Sequence, residues 1–172
     1  MIRFSTLDVE MPPIEPHKVK AWIGAIAEQY DKSVGELYYY FCSDDKLLEI
    51  NRERLGHDFY TDIVTFPLTD CETVLSSEFC ISTDRIKENA VTFGRSYESE
   101  LHRVIIHGVL HLIGFDDLTD EDEKTMREKE EEALKLLFCP CHSDGNLWVK
   151  QQRTTTIQLI FNKLNQLFPV KH

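Results

Sequence analysis

The chain has 172 residues, 42% of them apolar and 28% charged, and a formal net charge of −11. That fits one globular domain with a sizeable core and leaves little for a second. No apolar run approaches the roughly 18 residues of a membrane helix, and "MIRFSTLDVE" has no apolar stretch behind its arginine, so neither a span nor a secretory signal is expected and the cytoplasm is the default location.

Residues 2–9 read as a first strand, and "PPIEP" (12–16) breaks the chain. From His17 to Tyr30, Val19, Trp22, Ile23, Ile26 and Ala27 recur at helical spacing. "ELYYYFC" (36–42) is aromatic-rich and predicts a strand. The next helix has Ser43 as its N-cap and Gly56 as its stop. "TDIVTFP" (61–67) is β-branched and ends in proline, which predicts a strand near an edge, and "SEFCIS" (77–82) is another. "TDRIKENAVTFG" (83–94) opens on a capping residue, closes on glycine and predicts a short helix.

Two further helices follow. One runs from about Tyr97 to Ile113. The last begins at Thr119, where Thr119 and Asp122 make a capping box, and its apolar face is Met126, Ala133, Leu134 and Leu137. The tail changes character at Cys139: "CPCHSDGN" is a break, and "TTTIQLIFNKLNQLF" is either a strand or a short helix. The order β-α-β-α-β-β-α-α-α predicts an α+β domain over residues 1–138, a small mixed sheet of about four strands packed with about five helices, followed by a tail (139–172) without a functional reading.

Five cysteines, an odd number at irregular spacing, predict reduced thiols, with Cys42 and Cys80 in the core. The acidity is largely local. Residues 116–132 hold ten acids and three bases, a net of −7, which leaves only −4 for the rest of the chain. The overall charge therefore does not exclude a nucleic-acid partner, although no basic patch is visible in the sequence.

The stretch "HGVLHLIGFDD" (107–117) carries the chemistry. From Val104 to Ile113 every residue except His107, Gly108 and His111 is large and apolar, the pattern of a buried helix. The two histidines are four apart, so they share one face, and a buried imidazole needs a hydrogen-bond partner or a metal. Gly114 is placed to reverse the chain in a left-handed conformation and swing Asp117 back toward that face. The spacing matches the metal-binding helix of the metzincin proteases. Two imidazoles and a carboxylate suit zinc, and three protein ligands leave a fourth position for water. Asp116 is the alternative third ligand, or a cap for the next helix; spacing favours Asp117. Proteases of this pattern carry a glutamate directly after the first histidine as general base, and here that position is Gly108, which points away from proteolysis. No general base is identifiable. Glu100, seven residues before His107 on the same face, is a candidate for orienting a ligand imidazole. "CPCH" (139–142) has too few ligand-type residues for a convincing second metal site.

These residues resemble the YbeY endoribonuclease family of rRNA maturation factors. "HGVLHLIGFDD" is similar to that family's H-G-x-L-H-L-x-G-[YF]-D-H. Asn51 with "TDIVTFP", the "EFCIS" strand and "MREKEEEAL" (126–134) extend the resemblance over about residues 1–138. It implies a metalloprotein that cuts single-stranded RNA, matures the 3′ end of small-subunit (16S) ribosomal RNA and takes part in ribosome quality control. Zinc is the implied metal, one per chain. His107 and His111 match the first two family ligands, and Asp117 stands where the family has a third histidine. A carboxylate in that place adds negative charge and favours a harder ion such as manganese. Where the family usually carries an arginine four residues after the asparagine, this chain has Leu55; Arg54, one residue earlier, is assigned no role. The alternatives are a non-catalytic ribosome-assembly factor with a structural metal and, less favoured, a metalloprotease.

Overall fold

A computed structural model describes residues 1–138. The tail elements and the "CPCH" cluster lie outside the described residues. In chain order the elements are β1 (Ile2–Thr6), α1 (Pro16–Gln29), β2 (Ser33–Cys42), α2 (Asp44–Leu55), β3 (Ile63–Pro67), β4 (Val74–Ser82), α3 (Thr83–Thr92), α4 (Tyr97–Ile113) and α5 (Asp120–Phe138). The fold is α+β, with a four-stranded mixed sheet in the order β1-β2-β4-β3. β1, β2 and β4 run parallel, and β3 lies antiparallel along β4 at one edge. Pro67, which has no N–H to donate, ends that edge strand.

Several expected boundaries shift, β3 for example starting at Ile63 rather than Thr61. β2 and β4 each begin three residues earlier than their apolar runs predict. Ser33 and Val34 pair with Val74 and Leu75 ahead of a bulge, and a Cβ on Gly35 would lie 2.2 Å from Ser76 Oγ. Glycine there lets two backbones approach, and that leaves no hydrophobic signature in the sequence. In α3 the cap is Ser82, whose hydroxyl accepts from the Arg85 amide, while Thr83 has become the first helical residue and donates to the Cys42 carbonyl. β1 ends at Thr6, short of the expected residue 9.

The core lies between the sheet and α1, α4 and α5. Tyr39 of β2 and Phe79 of β4 stack with ring centroids 4.6 Å apart, under Leu101, Ile105 and Ile106 of α4. Trp22 of α1 donates its indole N–H to the Ala133 carbonyl of α5, tying those two helices together. Cys42 and Cys80 are buried free thiols, and burial pushes them up to about 12 and about 11, so both stay protonated. Among the described residues no helix is long and apolar enough to cross a membrane.

At Gly108, α4 packs tightly on the sheet. A Cβ there would lie 2.7 Å from Phe79 Cε1 and 2.9 Å from Ile63 Cδ1. The glycine lets the helix carrying both histidines settle against β3 and β4.

Candidate metal centre

Three locally encoded features build the centre. Ser96 caps α4, its hydroxyl accepting from the Ser99 amide. His107 and His111 follow on one face, half-buried, with ring centroids 4.4 Å apart. Gly114 then closes the helix at φ +116°, a backbone conformation that disfavours side chains. The reversal brings the Phe115 carbonyl to 2.9 Å from Nδ1 of His111. It also brings Asp117 back, with Oδ2 at 3.6 Å from Nε2 of each histidine. The Phe115 ring packs edge-on against Tyr30, which anchors the turn to the core. Asp116, the alternative ligand, is exposed and not part of the cluster.

The donor atoms of His107, His111 and Asp117 all lie within 4.8 Å of one another. The two Nε2 atoms are 3.0 Å apart. A zinc ion bound tetrahedrally at 2.0–2.1 Å would separate its ligand atoms by about 3.3 Å. The spacings of 3.0 and 3.6 Å bracket that value. Tautomer chemistry agrees. Nδ1 of His107 faces the Glu130 carboxylate at 2.7 Å and Nδ1 of His111 faces a carbonyl. Both partners are acceptors, so both protons belong on Nδ1. Each Nε2 then points a lone pair at the other, an arrangement that suits a shared cation. The residues fit a divalent metal.

The support for His107 is the part that local spacing did not reveal. Glu130 of α5, almost fully buried, accepts from the imidazole and also from Arg103 at 3.0 Å. Arg103 sits one turn before His107. It reaches three carboxylates: Glu100 on its own helix, Glu130, and Asp62 just ahead of β3 at 3.0 Å. Burial would depress the charge on this guanidinium, but the three carboxylates hold it charged above its ordinary range. Burial likewise acts to raise the Glu130 carboxyl, yet the hydrogen bond from His107 and the charge of Arg103 hold it below the ordinary glutamate value. Glu100 is therefore not the acceptor for a ligand imidazole. It is fully buried, bonds Arg103, and leaves Oε2 without a partner, while Glu130 takes the role considered for it.

Two grooves meet at this cluster. One is walled by Asn51, Leu55, His57, Phe59, Thr61 and Thr65, the other by Asn89, Phe93, Arg95, Met126 and Arg127; His107, Asp117 and Asp62 line both. Leu55 is half-exposed in the first wall. Arg54 does not reach it: its guanidinium lies 3.7 Å over the Phe66 ring and pairs with Glu78 at the sheet edge.

A mixed sheet backed by a histidine-bearing helix, with a carboxylate returned by a glycine turn, defines an α+β protein with a possible His-His-Asp metal-binding group. Comparison with known proteins narrows this. The family model described as Endoribonuclease YbeY matches residues 8–137, and the chain belongs to that family. A protein of Parabacteroides distasonis named Endoribonuclease YbeY is 45% identical over 140 residues, covering 81% of this chain and 98% of the relative. One of the same name from Porphyromonas gingivalis is 46% identical over 136 residues, covering 79% and 89%. The solution structure of a Thermotoga maritima protein is similar at a TM-score of 0.56 and 29% identity, covering 84% of this chain and 93% of that one.

Proposed function

We propose that this chain is a zinc-dependent, single-strand-specific endoribonuclease that matures the 3′ end of 16S ribosomal RNA and serves ribosome quality control, working in the cytoplasm on the small ribosomal subunit. One observation carries the reading: in a chain of the Endoribonuclease YbeY family, two imidazole nitrogens and a carboxylate oxygen converge where two open grooves meet. In this proposal His107, His111 and Asp117 hold the ion. When bound, zinc supplies Lewis-acid polarisation of a phosphodiester oxygen and acidifies a water molecule. The chain's own residues orient the ligands. Glu130 keeps the His107 proton on Nδ1, the Phe115 carbonyl does the same for His111, and Arg103 holds Glu130 in place.

Gly108 weighs against the protease reading. The position where a zinc protease carries its general base faces Phe79 and Ile63, and any side chain there would collide with the sheet. Incubating the protein with labelled single-stranded RNA and with casein, with and without chelator, separates the readings. RNA cleavage that depends on metal is expected. Cleavage that survives both His111→Ala and chelation overturns the proposal. Metal content should fall from near one per chain to near zero in the His107→Ala/His111→Ala pair.

A further inference from the structure

The wall formed by Leu55, His57, Phe59, Thr61 and Thr65 contains no lysine or arginine, and neither does any other residue lining that groove. Among the described residues, this groove offers a strand's phosphates no lysine or arginine, which favours contacts to its bases. The wall offers them aromatic surface. Phe59 is 57% exposed, and its ring stacks on His57 with centroids 5.3 Å apart and planes 21° from parallel.

The loop bearing these rings has no regular structure, yet it is held firmly. Gly56 begins it in a left-handed cap on α2 at φ +69°. Asn51, buried, donates from its side-chain amide to the Phe59 carbonyl at 2.9 Å. Arg52 pairs with Asp58, and the Tyr60 hydroxyl bonds Asp45. The backbone is fixed at these points while the two rings stay exposed. Exposed aromatic rings on a fixed backbone contribute little to folding, and they lose little freedom on meeting a ligand.

We propose that the His57–Phe59 stack is a base-stacking platform. It takes the face of an unpaired nucleobase beside the centre formed by His107, His111 and Asp117. This inference rests on the ribonuclease reading above and deepens it by naming what selects single strands. Stacking tolerates any base, because every base has a π face. In a duplex those faces are covered by neighbouring pairs, so a helical substrate has none to offer without unstacking.

The test uses the full chain with its metal centre intact and a fluorescein-labelled single-stranded RNA, 2′-O-methylated so that the probe resists cleavage, read by anisotropy. Adding Phe59→Ala should raise Kd roughly 10-fold, the scale of one lost stacking contact. Phe59→Trp should restore it. His57→Ala, a second variant acting on the same stack, should weaken binding in the same direction. The slope of log K against log salt should not change, because no phosphate contact is removed. A duplex of the same sequence should bind weakly to every variant. A Kd unchanged by Phe59→Ala, or a loss not restored by tryptophan, overturns the platform. If wild-type protein still cleaves single-stranded RNA in that case, the ribonuclease reading survives alone. If wild-type protein neither cleaves nor binds RNA, both fall.

Discussion

The two histidines sit one helical turn apart and are held in different ways. His107 leans on charge: its proton goes to the buried Glu130, which Arg103 holds together with Glu100 and Asp62. His111 leans on backbone: its proton goes to the Phe115 carbonyl, delivered by the Gly114 turn. The charged support links α4, α5 and the approach to β3, and its groups lie far apart in sequence. The backbone support is complete within residues 111–115. A side-chain substitution can remove the first. Only a change in the turn can disturb the second.

The largest expected effect comes from the charged side. Arg103→Met leaves three carboxylates facing one another with no cation among them, and the cost of breaking a buried pair this way is about 3–5 kcal/mol. Urea denaturation at neutral pH measures it, and a loss below about 1 kcal/mol, the scale of an exposed pair, would show that the cluster behaves as surface charge. Glu130→Gln keeps the shape but not the charge behind His107. Metal affinity should fall about 10–100-fold, as for other partners of ligand histidines, measured by competition with a chelating dye. Unchanged affinity would make the two supports equivalent.

On the backbone side, Gly114→Ala forces a side chain into positive φ and should cost about 1–2 kcal/mol. Its metal affinity should fall as well, because the same turn places both Phe115 and Asp117. A stability loss without a change in metal binding would separate the turn from the site. The smallest effect is on pH. Glu130 has a carboxyl held below 4.5 in the folded state, so its stabilising contribution is present above that value and disappears as pH falls through the folded pKa. His102, which burial holds below its ordinary 6.5, acts with the same sign, and its contribution is lost as pH drops below that value. Thermal melts from pH 7 downward should therefore show falling stability, with Glu130→Gln flattening the part below about 4.5.

Much of this was legible in the chain because the relevant forces act over short separations. Helical spacing marked α1, a continuous apolar run marked α4, a capping box and apolar face marked α5, and Ser43 and Gly56 cap α2 as their residue types require. Four-residue spacing alone places His107 and His111 on one face. The partners of those histidines were not legible in the same way. Glu130 left one usable sign: it is a carboxylate in the apolar stripe of Met126, Ala133, Leu134 and Leu137 and is buried with them. Arg103 left another, as a cation one turn before His107 on a helix of buried side chains. Neither sign says which residues meet. Glu100 had an equally good claim to His107 by spacing, and the structure gives that place to a residue 23 positions downstream.

By itself, then, the sequence determined what a single turn of helix or a single cap can decide: where α4 runs, that its two histidines align, and that the chain reverses at Gly114. Such features depend on backbone geometry over a few residues. Only the tertiary structure decided that Gly108 is the point of contact with Phe79, that Glu130 and not Glu100 backs His107, and that Leu55, His57 and Phe59 wall the groove beside Asp117. Those outcomes depend on how closely α4 and α5 pack against the sheet. That distance is set jointly by side chains from every layer, and no local spacing contains it.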